Sequence, residues 1–207
     1  DESVQEAARL AAAHGWQVIA DTSYDGYEDI PRDVMQGYGA IAEETVEQTS
    51  AQRGRAGAFT HVFLQGGVGG MAAGLASYFW EYHGPQRPCV ISVEPAQADC
   101  LLQSAIQGGP AKATGTVDSV MAGLACGETS PLAWRFLQPC VDAVMTIEDE
   151  QAIEAMRRLA QGRERATPIV AGESGVAGLA ALEWLRSATQ RSAQCGPTAE
   201  SRVLILS

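Results

Sequence analysis

Four glycines stand in five positions, at Gly66, Gly67, Gly69 and Gly70, with Val68 between them. They follow the run Thr60-His61-Val62-Phe63-Leu64 and precede Met71-Ala72-Ala73-Gly74-Leu75-Ala76. Strand, glycine loop and helix in that order suit an anion. With no Cβ in the way, successive N–H groups can converge on it. The helix N-terminus behind them adds roughly half a positive charge. An ordinary turn needs fewer glycines, so the loop reads as a phosphate site. The phosphate's owner is open at this point. Gly67-Val68-Gly69-Gly70-Met71-Ala72 fits the G-x-G-x-x-A dinucleotide fingerprint. The run Cys89-Val90-Ile91-Ser92-Val93 ends in Glu94, about where a ribose-binding carboxylate belongs. Against that reading, a long segment precedes the glycines. No G-K-[ST] follows them, which excludes a P-loop.

Other residues could carry chemistry. Asp21 follows the strand-like run Trp16 to Ala20, at the edge where α/β folds put ligands. A carboxylate there can act as a general base, or simply shape a turn. Glu173 opens an expected helix and either caps it or faces a ligand. Met121-Ala122-Gly123-Leu124 is apolar within a loop that should be polar, as a segment lying against a flat ligand would be. Lys112 is the only lysine, in a loop with no strand before it. That is a poor setting for a buried covalent lysine. The histidines (14, 61, 83) have no partner spacing. Five cysteines (89, 100, 126, 140, 195) form no C-x-x-C, so no zinc or other metal site is expected. They suit reduced core thiols in a cytoplasmic protein. Cys100 and Cys126 are the pair to check for a bridge.

The elements that must position these residues alternate. Helix is expected at 3–14 and strand at 16–20, then an acidic loop to Pro31. A helix follows to Gln52, with Pro31 at its first position. Gly37 and Gly39 inside it suggest close packing or a nearby ligand. After a linker at 52–58 come strand 60–65, helix 71–83, strand 89–93 and helix 97–107. An irregular stretch runs to Ser130. A short helix near 131–138, strand 142–146, helices 148–162 and 174–189, and strand 202–206 complete the pattern. Such alternation implies α/β architecture, a parallel sheet flanked by helices. Ser187 to Ser201 reads as a surface loop, and Trp16, Trp80, Trp134 and Trp184 read as core.

The bulk numbers bound the class. The chain has 207 residues and 46% hydrophobic content. No apolar run approaches the roughly 18 residues of a membrane span. The net charge of −11 repels nucleic acid and anionic membranes, so neither is an expected partner. The chain ends on Val203-Leu204-Ile205-Leu206-Ser207, which reads as the exit of a buried strand. A piece of a longer protein is the expectation.

Taken together, these residues resemble the fold-type II (tryptophan synthase β-like) pyridoxal-phosphate enzymes, and within them the diaminopropionate ammonia-lyases. The matching segments are Asp21-Thr22-Ser23-Tyr24-Asp25-Gly26-Tyr27 with Ile30-Pro31, then Met35-Gln36-Gly37-Tyr38-Gly39. Gln65 to Gly74, Val93-Glu94-Pro95, Met121 to Glu128 and Gly172 to Gly175 continue the set in order. The glycine loop is shared by the wider superfamily; the D-T-x-x-x-G-Y and M-A-G-L-A-C-G-E segments are more specific. The resemblance implies pyridoxal 5'-phosphate as cofactor and a small amino acid as substrate. It implies α,β-elimination of 2,3-diaminopropionate to pyruvate and ammonia, or a related serine or threonine β-elimination, or cofactor binding without catalysis. It assigns Asp21 as base for at least one substrate enantiomer, Gly66, Gly67, Val68, Gly69 and Gly70 to the phosphate, and Gly123 beside the ring. It implies a homodimer of two-domain subunits, with residues 1–52 ending a small domain and 53–207 forming part of the large one. It also implies a cofactor-bearing lysine upstream of Asp1 and site residues beyond Ser207.

Overall fold

A computed structural model describes residues 2–53, 59–162, 167–187 and 195–207. Residues 54–58 of the expected linker and 188–194 of the expected surface loop lie outside them. The elements are α1 (Glu2–His14), α2 (Asp29–Arg53), β1 (His61–Gln65), α3 (Gly70–His83), β2 (Cys89–Pro95) and α4 (Cys100–Gln107). Then come α5 (Pro131–Cys140), β3 (Ala143–Ile147), α6 (Asp149–Gln161), α7 (Ala177–Ser187) and β4 (Val203–Ile205).

The four strands form one parallel sheet in the order β3-β2-β1-β4. His61 pairs with Cys89 on one side of β1 and with Val203 on the other. Parallel strands need crossover connections, and helices supply them. Alternation along β1 then divides the core. Val62 and Leu64 pack with Val90 under α2, α3 and α5, through Val46, Leu75, Phe79 and Leu137. Phe63 packs with Ile91 and Val93 against α6 and α7, through Ala152, Ala155, Ala177 and Ala181. Both faces are covered, which is why the strand sequences are almost uniformly apolar.

The expected strand at 16–20 is absent. An apolar run becomes a strand only with a neighbour to complete its hydrogen bonds. Here the Ala20 N–H donates to the Tyr27 hydroxyl at 2.8 Å, and that hydroxyl lies 3.1 Å from the Val18 carbonyl. Trp16 and Ile19 are exposed. Helix α2 starts two residues before Pro31, whose missing N–H falls in the first turn, where no helical acceptor exists. Only Trp134 of the four tryptophans is buried. Trp80 is half-exposed, with the Arg87 guanidinium 4.9 Å above its ring. No helix among the described residues is long and apolar enough to cross a membrane.

Close helix packing comes from Gly74 rather than from Gly37 or Gly39. Gly37 has open space where a Cβ would be, and Gly39 has only Tyr78 at 3.9 Å. A Cβ on Gly74 would run into the Met35 carbonyl of α2 and come within 3.2 Å of Tyr38 Cβ. Gly74→Ala should therefore force α2 off α3, at a cost of about 1–3 kcal/mol. Urea denaturation of the intact protein checks this. An unchanged midpoint would mean that the two helices are not held at this distance.

Candidate functional site

The sheet order reverses at β1: β2 and β3 lie to one side, β4 to the other. Ligand sites of open α/β sheets form at the carboxyl ends of strands where the order switches. Gln65, the last residue of β1, closes this point from below. Its Nε2 donates to the Gly175 carbonyl at 2.9 Å and to the Leu206 carbonyl at 2.7 Å. This ties the segment before α7 to the end of β4.

The glycine loop rises from Gln65. The Gly66 N–H donates to the Val93 carbonyl at 2.8 Å, and the Gly69 N–H to the Gly66 carbonyl at 3.0 Å. Gly67 and Gly69 have positive φ (57° and 100°), a conformation side chains disfavour. Gly66 is wedged so tightly that a Cβ would lie 2.7 Å from Glu94 Cγ. Helix α3 starts at Gly70. Among the described residues, the N–H groups of Gly67, Gly70 and Met71 have no protein acceptor. That leaves a set of backbone donors at a helix N-terminus.

These donors line a cleft of about 590 Å³. Gly66, Gly67, Val68 and Gly70 line it, as do Asp21 and Gly123 from distant loops. Gly69 is the exception among the expected residues. It turns its back to the cleft, and a Cβ there would lie 2.8 Å from Leu137 Cδ1. Gly123 belongs to a short 3-10 turn, Ala122–Leu124. Its N–H donates to Ser174 Oγ at 3.0 Å. Ser174 also lines the cleft, whereas its neighbour Glu173 does not. Asp21 is exposed, and Thr22 Oγ1 donates to its Oδ1 at 3.2 Å. Tyr38, Ile41 and Met71 form an apolar wall. Among the described residues, no lysine or arginine lines the cleft.

Gln65 and Ser174 were not foreseen in these roles. An amide at a strand end and a serine after an acid carry no sequence signal for them. The structure also corrects the ribose reading of Glu94. Its side chain is fully buried and caps α4: Leu101 N–H donates to Oε1 at 2.8 Å and Leu102 N–H to Oε2 at 2.9 Å. It is not free to meet a sugar. Lys112 is exposed, 3.5 Å from Glu128, outside the cleft. Cys100 and Cys126, the pair to check for a bridge, are both free thiols. Burial pushes Cys100 up to about 12, and it pushes Cys126 up as well.

The family model described as "Pyridoxal-phosphate dependent enzyme" matches residues 1–206. The chain belongs to that family. It is 39% identical to the diaminopropionate ammonia-lyase of Escherichia coli K12 over 191 residues, 92% of this chain and 47% of that protein. The Salmonella typhimurium enzyme is 39% identical over 88% of this chain and 45% of its own length. The chain thus spans about half the length of the curated relatives it matches. The crystal structure of the holo Escherichia coli enzyme superposes with a TM-score of 0.88 at 36% identity, covering 98% of this chain and 50% of that one. Maize serine racemase shares the fold, with a TM-score of 0.70 at 21% identity over 94% of this chain and 53% of its own.

The cleft suits the family's cofactor. Its volume lies within the usual 300–1,000 Å³ of small-molecule sites. Its unpaired backbone donors meet the needs of a phosphate.

Glu94 supplies a prediction. Burial pushes its carboxyl from 4.5 up to about 7, against the opposing pull of the Leu101 and Leu102 N–H groups and the Cys100 thiol. The folded state therefore favours the protonated form. Stability from this group is complete below the ordinary glutamate range and is lost as pH rises through about 7. Between pH 4 and 8 the loss should be on the order of 3 kcal/mol. Comparing denaturation of the parent and Glu94→Gln across that range isolates it. A difference that does not change with pH would contradict the assignment.

Proposed function

We propose that the full-length protein is a pyridoxal-phosphate-dependent carbon–nitrogen lyase that converts 2,3-diaminopropionate to pyruvate and ammonia. The observation that carries this reading is the meeting of Asp21 and the glycine loop in one cleft. The 39% identity to diaminopropionate ammonia-lyases supports it. So does the likeness to that enzyme's crystal structure with an aminoacrylate-PLP azomethine reaction intermediate, at a TM-score of 0.87. By the same resemblance, the subunit works as a cytoplasmic homodimer. Residues 1–52 then end a small domain, and 53–207 belong to the large one.

Gly66 to Gly70 would hold the phosphate. Gly67, Gly70 and Met71 offer N–H groups, and Gly69 supplies the bend that aims them. Gly123 presents bare backbone beside the ring, so a flat surface can approach it. When bound, pyridoxal phosphate supplies an electron sink that makes the substrate's α-proton removable. The Asp21 carboxylate accepts that proton at one oxygen while Thr22 orients the other. Tyr38, Ile41 and Met71 limit water around the reacting carbon. The β-amino group leaves as ammonia, and hydrolysis of the remaining enamine by one water gives pyruvate and a second ammonia.

Two outcomes test this. Asp21→Asn should lower turnover by about 100-fold or more, the scale of a lost general base, while cofactor affinity is kept. Near-normal pyruvate production by the loaded variant from both enantiomers of diaminopropionate would remove Asp21 from the reaction. Gly69→Ala should lower cofactor affinity by about 10-fold or more, because positive φ and the Leu137 contact both oppose a side chain. Absorbance titration with pyridoxal phosphate measures it, and an unchanged affinity would contradict the cradle. Preference for serine or threonine over diaminopropionate would favour a dehydratase instead.

A further inference from the structure

The segment that carries Asp21 has no sheet partner, so something else must fix it against the cofactor cradle. One buried serine pair spans both. Ser23 and Ser130 are 3% and 1% exposed. Their hydroxyls lie 2.8 Å apart, and the Ser23 N–H donates to Ser130 Oγ at 3.3 Å. Ser23 Oγ also accepts the Leu132 N–H, at the start of α5, at 2.9 Å. Ser130 in turn donates its own N–H to the Val68 carbonyl, in the middle of the glycine loop, at 3.0 Å. The path from cradle to carboxylate is therefore short: Val68, Ser130, Ser23, then two residues back to Asp21. Tyr27 holds the other side through the Ala20 N–H. Asp21 itself is exposed, and among the described residues its only hydrogen bond is to its neighbour Thr22. Its position is thus inherited from these anchors.

We propose that Ser130, acting with Ser23, is a positioning residue that sets the register of the Asp21 carboxylate against the phosphate cradle. The proposal rests on Asp21 being the base. Its chemical effect is on proton removal rather than on cofactor binding. The Ser130 N–H to Val68 bond is made by backbone and survives loss of the hydroxyl. A base displaced by about an ångström can lose on the order of 100-fold in rate.

The test uses the full-length protein loaded with pyridoxal phosphate, in five forms: parent, Ser130→Ala, Ser23→Ala, Asp21→Asn, and Ser130→Ala with Asp21→Asn. Readouts are cofactor affinity by absorbance titration, kcat for diaminopropionate, and the deuterium isotope effect from α-deuterated substrate. Each serine variant should keep cofactor affinity within about threefold, lose about 10- to 100-fold in kcat, and show a larger isotope effect. In the Asp21→Asn background, Ser130→Ala should add less than about threefold, because there is no base left to misplace. Four results would overturn the proposal: unchanged kcat in both serine variants, equal losses of kcat and cofactor affinity, an unchanged isotope effect, or a full further loss in the Asp21→Asn background. If Ser130→Ala does not fold, Ser23→Ala decides the matter against the Asp21→Asn and Ser23→Ala double variant. Failure of the underlying reading looks different: Asp21→Asn itself would then be active.

Discussion

The site depends on main chain being allowed where a side chain cannot go. Gly66 and Gly69 press against Glu94, Leu101 and Leu137 so closely that even a methyl group would collide. That intimacy sinks the loop into the end of the sheet, and among the described residues it leaves the N–H groups of Gly67, Gly70 and Met71 without a protein acceptor. With no lysine or arginine among the described residues along the cleft, an anion there meets oriented amides and the α3 N-terminus. The same arrangement explains the burial of Glu94. Its carboxylate is occupied by the first turn of α4, and its stem packs against Gly66. One acidic residue therefore supports the cradle from behind.

The rest of the fold holds this edge in place. Two apolar layers clamp the sheet, and Gln65 joins β1 to the end of β4 and the turn before α7. Helix α2 reaches the cleft because Gly74 lets it lie directly on α3, so that Tyr38 and Ile41 become walls. Asp21 arrives through hydroxyl contacts rather than through secondary structure. A tightly packed glycine loop is thus combined with a carboxylate held by a few polar bonds, and these two parts can be altered separately.

Much of this was legible in the residues. The glycine loop, the α/β alternation and three of the four strands were marked by composition and spacing close to their observed limits. The final strand was expected at 202–206 and spans Val203–Ile205. The departures from pattern share a cause: they turn on contacts that local composition does not announce. Trp16 to Ala20 has a strand's composition but no neighbour in the sheet. Glu94 occupies a dinucleotide enzyme's acidic position, yet its use is decided by where α4 begins. Gly69 belongs to the loop by pattern, but packing turns it away from the cleft. Ser23 and Ser130 are 107 residues apart, and nothing local announces their contact.

The most direct test of the bare-amide cradle is the amide proton shifts of Gly67, Gly70 and Met71 during titration of the full-length protein. Pyridoxal phosphate should move these three strongly, and pyridoxal without its phosphate should leave them nearly still. Equal responses to both compounds, or tight binding of the phosphate form with these amides unmoved, would contradict the account.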